Sequence, residues 1–253
     1  MNYLDLFSGI GGFALGARLA GMEFERHYNS DIDDYANRVY AKHFPASIQL
    51  GDITKIKAED LPDGEWIITG GFPCQDISCA GKKAGLDGER SGLWFEMWRL
   101  VRDLRPEFLF GENVGALSIR GLDRILGSLA EIGYDAEWQD MRASDLGAPH
   151  RRERIWIIAY PKSKRWQYSG QTENTNDIFS GDQKVWEMGF KALRGSRYDA
   201  WPYAPAAAFR MDDGIPDRLD RLKCLGNAIV PQIAELLFNR IKFLMEHEPR
   251  MAS

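Results

Sequence analysis

The chain has 253 residues, enough to bury a full core in one large domain or in one domain carrying an insertion. Hydrophobic residues make up 44% and charged residues 27%, ordinary for a globular protein, and no stretch approaches the roughly 18 apolar residues of a membrane span. The net charge of −5 excludes a body coated in positive charge, although a nucleic-acid partner reads local charge rather than the total. Three cysteines (Cys74, Cys79, Cys224), with no Cys-x-x-Cys pair and no histidine at ligand spacing, argue against a disulfide scaffold and against structural zinc. The first residues lack the basic flank and long apolar core of a signal peptide, so the expectation is a cytoplasmic protein with no membrane partner.

In chain order, Tyr3 to Phe7 reads as a strand and Phe13 to Ala20 carries apolar residues at helical spacing. Arg26 to Ser30 predicts a second strand, and Ile32 to His43 a second helix. Trp66 to Thr69 is a short apolar run bounded by turn residues, followed by a helix over Gly92 to Leu104. A strand at Phe108 to Phe110, a helix at Leu122 to Ile132 and two closing strands at Tyr134 to Met141 and Arg154 to Tyr160 complete the series. This βαβα rhythm predicts an α/β fold, a Rossmann-like, mostly parallel sheet with helices on both faces. From Pro161 to about Pro216 the periodicity stops, and the composition turns to Ser, Asn, Asp, Gly and aromatics. An amphipathic helix with Ile233, Leu236, Leu237, Phe238, Ile241 and Leu244 then closes the chain. The division expected is a catalytic and cofactor-binding domain over 1–160 and 217–253, with a small irregular insert over 161–216.

Open α/β sheets gather ligands at the ends of their strands. The first strand runs into Ser8-Gly9-Ile10-Gly11-Gly12, where glycines permit a tight turn and close approach of a ligand to backbone N–H groups. Asp31 follows the second strand, placed to bind ribose hydroxyls, and Asp52 offers a second carboxylate; the glycine loop and Asp52 each also have a plain reading as a turn. Cys74 sits in a Gly/Pro loop directly after a strand, where a helix N-terminus or a nearby cation would lower its pKa; the alternative is an inert buried thiol. Glu112, at the end of an apolar strand, is expected to be part-buried and able to hold or hand over a proton. Arg152 and Arg154 alternate ahead of Ile155-Trp156-Ile157-Ile158, so on a strand both would point to one face. From Arg151 to Arg165, six basic residues (Arg151, Arg152, Arg154, Lys162, Lys164, Arg165) stand against one acid, Glu153, a stripe suited to phosphate or simply to solvent.

These residues together resemble the cytosine-5 DNA methyltransferases of bacteria and phages. Asp5-Leu6-Phe7-Ser8-Gly9-Ile10-Gly11-Gly12 resembles that family's cofactor loop, Gly71-Phe72-Pro73-Cys74-Gln75 its nucleophile loop and Glu112-Asn113-Val114 its acid motif. Arg152-x-Arg154 resembles its paired arginines and Gly226-Asn227-Ala228 its closing cofactor motif; His150 departs from the glutamine usual before the arginines. The resemblance implies transfer of a methyl group from S-adenosylmethionine to carbon 5 of a cytosine flipped out of double-stranded DNA, leaving S-adenosylhomocysteine. It implies catalytic roles for Cys74 as nucleophile, Glu112 at the ring N3, Arg154 at the base carbonyl and Arg152 in ordering Glu112 or the loop. It implies a cofactor site of Phe7, Gly9, Ile10, Gly11, Gly12, Asp31, Ile32, Asp52, Ile53, Pro73, Leu93, Asn227 and Ala228. DNA contacts are expected from Gln75, Ser78, Lys82, Lys83, Arg90, Lys162, Lys164 and Arg165, with 161–216 as a short target-recognition insert. A monomer suffices for such chemistry, and a cognate restriction endonuclease is a functional rather than a physical partner.

Three rivals stand beside this reading. The same chemistry could act on transfer RNA. A non-catalytic DNA-binding protein could use this scaffold, although it has no need of Cys74, Glu112 and the arginine pair together. A nicotinamide oxidoreductase would explain the glycine loop but not Cys74 or Glu112.

Overall fold

The computed structural model describes residues 1–73, 92–146, 148, 151–164, 224 and 227–246. Its centre is a seven-stranded sheet in the order β3-β2-β1-β4-β5-β7-β6. The strands are β1 (Asn2–Leu6), β2 (Arg26–Ser30), β3 (Ile48–Gln49), β4 (Trp66–Gly71), β5 (Phe108–Val114), β6 (Tyr134–Arg142) and β7 (Glu153–Pro161). The helices, in chain order, are α1 (Gly12–Leu19), α2 (Asp34–His43), α3 (Leu93–Leu104), α4 (Leu117–Arg120), α5 (Leu122–Glu131) and α6 (Pro231–Glu246).

The mostly parallel α/β sheet expected from the βαβα rhythm is present, with antiparallel pairing confined to β5, β6 and β7. β1 pairs in parallel with β2 and β4, and β4 with β5. β1 is buried along its whole length and β4 along all but its last residue, because helices cover both faces. Alternation along the strands sorts the core into two layers. Tyr3, Ile67, Phe108, Phe110, Trp156 and Ile158 face α1, α2 and α6. Leu4, Leu6, Ile68, Leu109, Ile155 and Ile157 face α3, α4 and α5.

Two features go beyond the sequence pattern. β7 slots between β5 and β6 and runs antiparallel to both, so its first residues lie beside the last residues of β5. β5 also runs on to Val114, four residues past the apolar stretch Phe108 to Phe110, because β4 on one side and β7 on the other supply partners for its polar end. Glu112 therefore lies within a strand rather than at its tip.

The C-terminal helix returns to the start of the chain. A Cβ placed on Gly16 of α1 would sit 2.4 Å from the Cβ of Ala234 and 2.8 Å from the Pro231 carbonyl, so only glycine lets α1 and α6 approach this closely. Among the described residues no helix is long and apolar enough to cross a membrane.

Candidate active site

The C-terminal ends of β1, β4 and β5 and the N-terminal end of β7 converge on one edge of the sheet, where Phe7, Gly9, Gly11, Glu112, Arg152 and Arg154 lie. After β1 the chain turns sharply: Phe7, Gly9 and Gly11 have positive φ of 50°, 51° and 89°. At Gly11 a Cβ would meet the Phe44 ring at 2.8 Å, so the turn requires glycine in both conformation and space. Asp31 braces this loop from the end of β2, its Oδ2 accepting from the Gly9 N–H at 2.8 Å and its Oδ1 from the Asp33 N–H at 2.9 Å. Ser8 Oγ is buried in the same loop and makes no hydrogen bond among the described residues.

The segment that leads into Asp52 is tied to the end of β2, the Ser30 hydroxyl donating to the Gly51 carbonyl at 2.6 Å and the Leu50 N–H to the Asn29 carbonyl at 2.8 Å. The Asp52 carboxylate caps the short turn Ile53–Lys55, accepting from the backbone N–H and hydroxyl of Thr54, which hold it below the usual carboxylate range. Ile53 is buried, whereas Ile32 is 78% exposed beside Asp31.

The acid and the arginines meet through strand register. Glu112 lies opposite Trp156, so Arg154 is its diagonal neighbour on the same face of the sheet. Arg154 Nε lies 3.0 Å from Glu112 Oε1. Glu112 is only 7% exposed, and burial raises its pKa from 4.5 to about 7 despite the pull of Arg154 and Arg152.

Arg152 reaches the site differently from expectation. β7 begins at Glu153, so strand alternation does not align the two arginines; Arg152 lies ahead of the strand with φ 26°. Left-handed backbone at a non-glycine residue is strained and marks a position that its surroundings over-determine. Its Nη2 donates to the Ala228 carbonyl at 2.5 Å, joining this corner to the segment before α6. Arg154 makes a direct ion pair with Glu112, and the charge of Arg152 also acts on it.

Three residues given no role of their own from the sequence complete the corner: Asn113 and Gly71, which are members of the quoted motifs, and Ile229. Asn113 is buried, and its Nδ2 donates to the Phe72 carbonyl at 2.9 Å, fixing the chain just before Pro73. Gly71 lies opposite Glu112, and a Cβ there would stand 3.3 Å from Glu112 Oε2 and 3.2 Å from Ile229 Cδ1. Ile229 also covers Gly12, where a Cβ would lie 2.6 Å from its own Cβ. The Gly-Gly doublet at the end of β4 was a legible sign of close approach; Ile229 carried no such sign.

Pro73 and Asn227 are exposed, and Ala228 and Leu93 half-buried, at this edge. Phe72 packs against Trp94, ring centroids 4.9 Å apart, so the segments on either side of 74–91 are in contact. Cys74, Gln75, Ser78, Lys82, Lys83, Arg90, His150, Arg165 and Gly226 lie outside the described residues. Lys162 is exposed just beyond β7, and Arg151 and Arg142 both lie against Glu153. Among the described residues no group of three or more His, Cys, Asp or Glu side chains is arranged to hold a metal ion.

Comparison with known proteins adds to this geometry. The family model for C-5 cytosine-specific DNA methylase matches residues 1–199. A Type II methyltransferase of Lactococcus lactis subsp. cremoris is 39% identical over 170 residues, covering 66% of this chain and 43% of that protein. A Type II methyltransferase of Haemophilus parahaemolyticus is 34% identical over 164 residues, covering 63% of this chain and 49% of that protein. The matches thus span about half the length of these relatives. Among solved structures, an E. coli prophage chain described as a DNA modification methyltransferase has a TM-score of 0.60 at 20% identity, covering 98% of this chain and 100% of that one, a likeness of fold.

Proposed function

The chain belongs to the C-5 cytosine-specific DNA methylase family, and from that membership we infer that it methylates carbon 5 of cytosine in double-stranded DNA, with S-adenosylmethionine as donor and Cys74 as covalent nucleophile. The observation that carries this reading is Glu112. It is a buried carboxyl with a pKa of about 7, paired to Arg154 and in register with Gly71, three residues before Cys74. A carboxyl so placed can hold a proton at neutral pH and share it with a ring nitrogen.

The β1–α1 loop fits a nucleoside donor. Its glycines bring backbone close to a ligand, Asp31 has lone pairs left for ribose hydroxyls, Ile32 offers an apolar face to a flat base, and buried Ser8 Oγ awaits a partner. Phe7, Gly9, Ile10, Gly11, Gly12, Asp52, Ile53, Pro73, Leu93, Asn227 and Ala228 complete that site in this reading. When bound, S-adenosylmethionine supplies an electrophilic methyl group.

The target base must leave the helix for its ring to be reached. The Cys74 thiolate then bonds to carbon 6, and the electron pair of the 5,6 double bond moves to carbon 5. Glu112 hydrogen-bonds the ring N3, which favours that attack, while Arg154 keeps Glu112 in place and reaches toward the base carbonyl. After methylation carbon 5 loses its proton, and the pair from that bond restores the double bond as the thiolate leaves. Arg152, tied to Ala228, links the arginine corner to the donor side. Lys82, Lys83, Arg90, Gln75, Ser78, Lys162, Lys164 and Arg165 are assigned to DNA, and a cognate endonuclease would be a functional partner only.

The test is a duplex carrying 5-fluorocytosine, from which no carbon-5 proton can leave. With S-adenosylmethionine present, the wild type should become covalently attached and Cys74→Ser should not. An active enzyme that forms no adduct, or full turnover by Cys74→Ser, would overturn the covalent mechanism; methyl transfer to transfer RNA but not to duplex DNA would overturn the substrate.

A further inference from the structure

One buried ionisable group under the donor loop has no part in the chemistry above. Asp5, the fourth residue of β1, is 0% exposed and lies two residues before the loop begins at Phe7. Its Oδ1 accepts from the Thr69 hydroxyl at 2.8 Å and its Oδ2 from the Tyr40 hydroxyl at 3.1 Å. A backbone N–H of α1, at Ala14, also donates to it. Asp5 thus joins β1, β4, α1 and α2 directly beneath the glycine turn.

The surrounding groups explain its state. From β1 comes Tyr3, whose hydroxyl meets Thr69 Oγ1 at 2.9 Å. From α2 comes Tyr40, backed by His27 of β2, whose Nε2 lies 2.7 Å from the Tyr40 oxygen. Burial lowers the His27 pKa to about 4, so that ring is neutral at pH 7. From the end of β2 comes the like charge of Asp31. None of these groups carries positive charge at neutral pH, and burial together with Asp31 raises the Asp5 pKa from 3.8 to about 7, against the pull of its hydrogen bonds.

A carboxyl faced by hydroxyls, phenols and another carboxylate gains most from a cation brought near it. S-adenosylmethionine carries one positive charge more than S-adenosylhomocysteine, at the sulfonium; their amino and carboxylate groups are shared. We propose that Asp5 is a positioning residue whose ionisation makes the donor loop prefer the sulfonium donor over its neutral product. Binding the cation draws the proton off Asp5, and by reciprocity loss of that proton tightens donor binding. After transfer the sulfur is neutral, and that attraction no longer retains the product. This rests on the donor reading of the loop given above.

The test is calorimetric binding of S-adenosylmethionine and S-adenosylhomocysteine to the full chain between pH 6 and 8.5. For the wild type, donor affinity should rise about tenfold across that range and product affinity by less than about threefold, the scale of one partly screened charge–charge interaction. In Asp5→Asn both should be flat in the comparison, with donor affinity near the wild-type value at pH 6. Tyr40→Phe removes one donor to the carboxylate and should move the inflection to higher pH, a second reading if Asp5→Asn folds poorly. Carboxyl-carbon NMR of the ligand-free protein should show one aspartate titrating near neutrality, absent in Asp5→Asn. Equal pH dependence for donor and product, or an unchanged slope in both variants, overturns the proposal. Failure of the wild type to bind either ligand at any pH overturns the donor reading itself, and this proposal with it.

Discussion

Replacing Glu112 by glutamine should make the protein more stable at pH 8 and nearly inactive. The folded-state pKa of Glu112 is raised to about 7 from 4.5, so its contribution to stability is fully present below about pH 4.5 and is lost as pH rises through 7. A rise of this size corresponds to about 3 kcal/mol of stability lost by pH 8. Glutamine is neutral throughout and avoids that loss, but it leaves Arg154 Nε with a weaker acceptor than the carboxylate now 3.0 Å away, at a cost of about 1 kcal/mol. The net gain at pH 8 is roughly 2 kcal/mol, or a melting temperature higher by roughly 4–8 °C. At pH 5 wild type and variant should melt within a degree or two of each other. Methyl incorporation into duplex DNA should fall by roughly 10²–10⁴-fold. Thermal melts of both proteins at pH 5 and pH 8, with a tritiated-donor assay, decide the matter. A variant less stable than wild type at pH 8 would show that burial does not raise the energy of this carboxylate; near-normal turnover would remove Glu112 from the chemistry.

Gly16→Ala should destabilise the chain, because the added Cβ meets Ala234 and the backbone of Pro231 and Glu235 at 2.4–2.8 Å. Overpacking of this kind costs roughly 1–3 kcal/mol, more than the roughly 1 kcal/mol gained in helix propensity, so urea unfolding should show a lower midpoint at unchanged slope. Asn113→Ala removes the donor to the Phe72 carbonyl; kcat should drop well beyond any change in the KM for S-adenosylmethionine, as steady-state kinetics would show.

Much of the architecture was legible beforehand because period and burial agree in a sheet covered on both faces. Tyr3 to Phe7, Arg26 to Ser30 and Trp66 to Thr69 announced their strands within two residues, and the helices after them were equally plain. The two-residue strand β3 and the helix α4 were missed, since neither is long enough to show a period. Arg152 was misread for a related reason. Alternation holds only inside a strand, and β7 starts one residue later, so its side chain is aimed by a positive φ and the Ala228 carbonyl.

Residue order alone determined which chemical groups follow or lie close to the apolar strand runs: a glycine turn, a carboxyl, two arginines and a Pro-Cys pair. Local propensity and motif spacing carry that much because they involve neighbours in sequence. Only the tertiary structure decided that Arg154 pairs with Glu112, that Ile229 closes over Gly12 and Gly71, and that Asp5 lies among hydroxyls. Those outcomes depend on β7 running antiparallel to β5 and on α6 folding back to α1. A chain's own pattern does not encode which distant segment will lie across from it, and desolvation acts only once that segment has arrived.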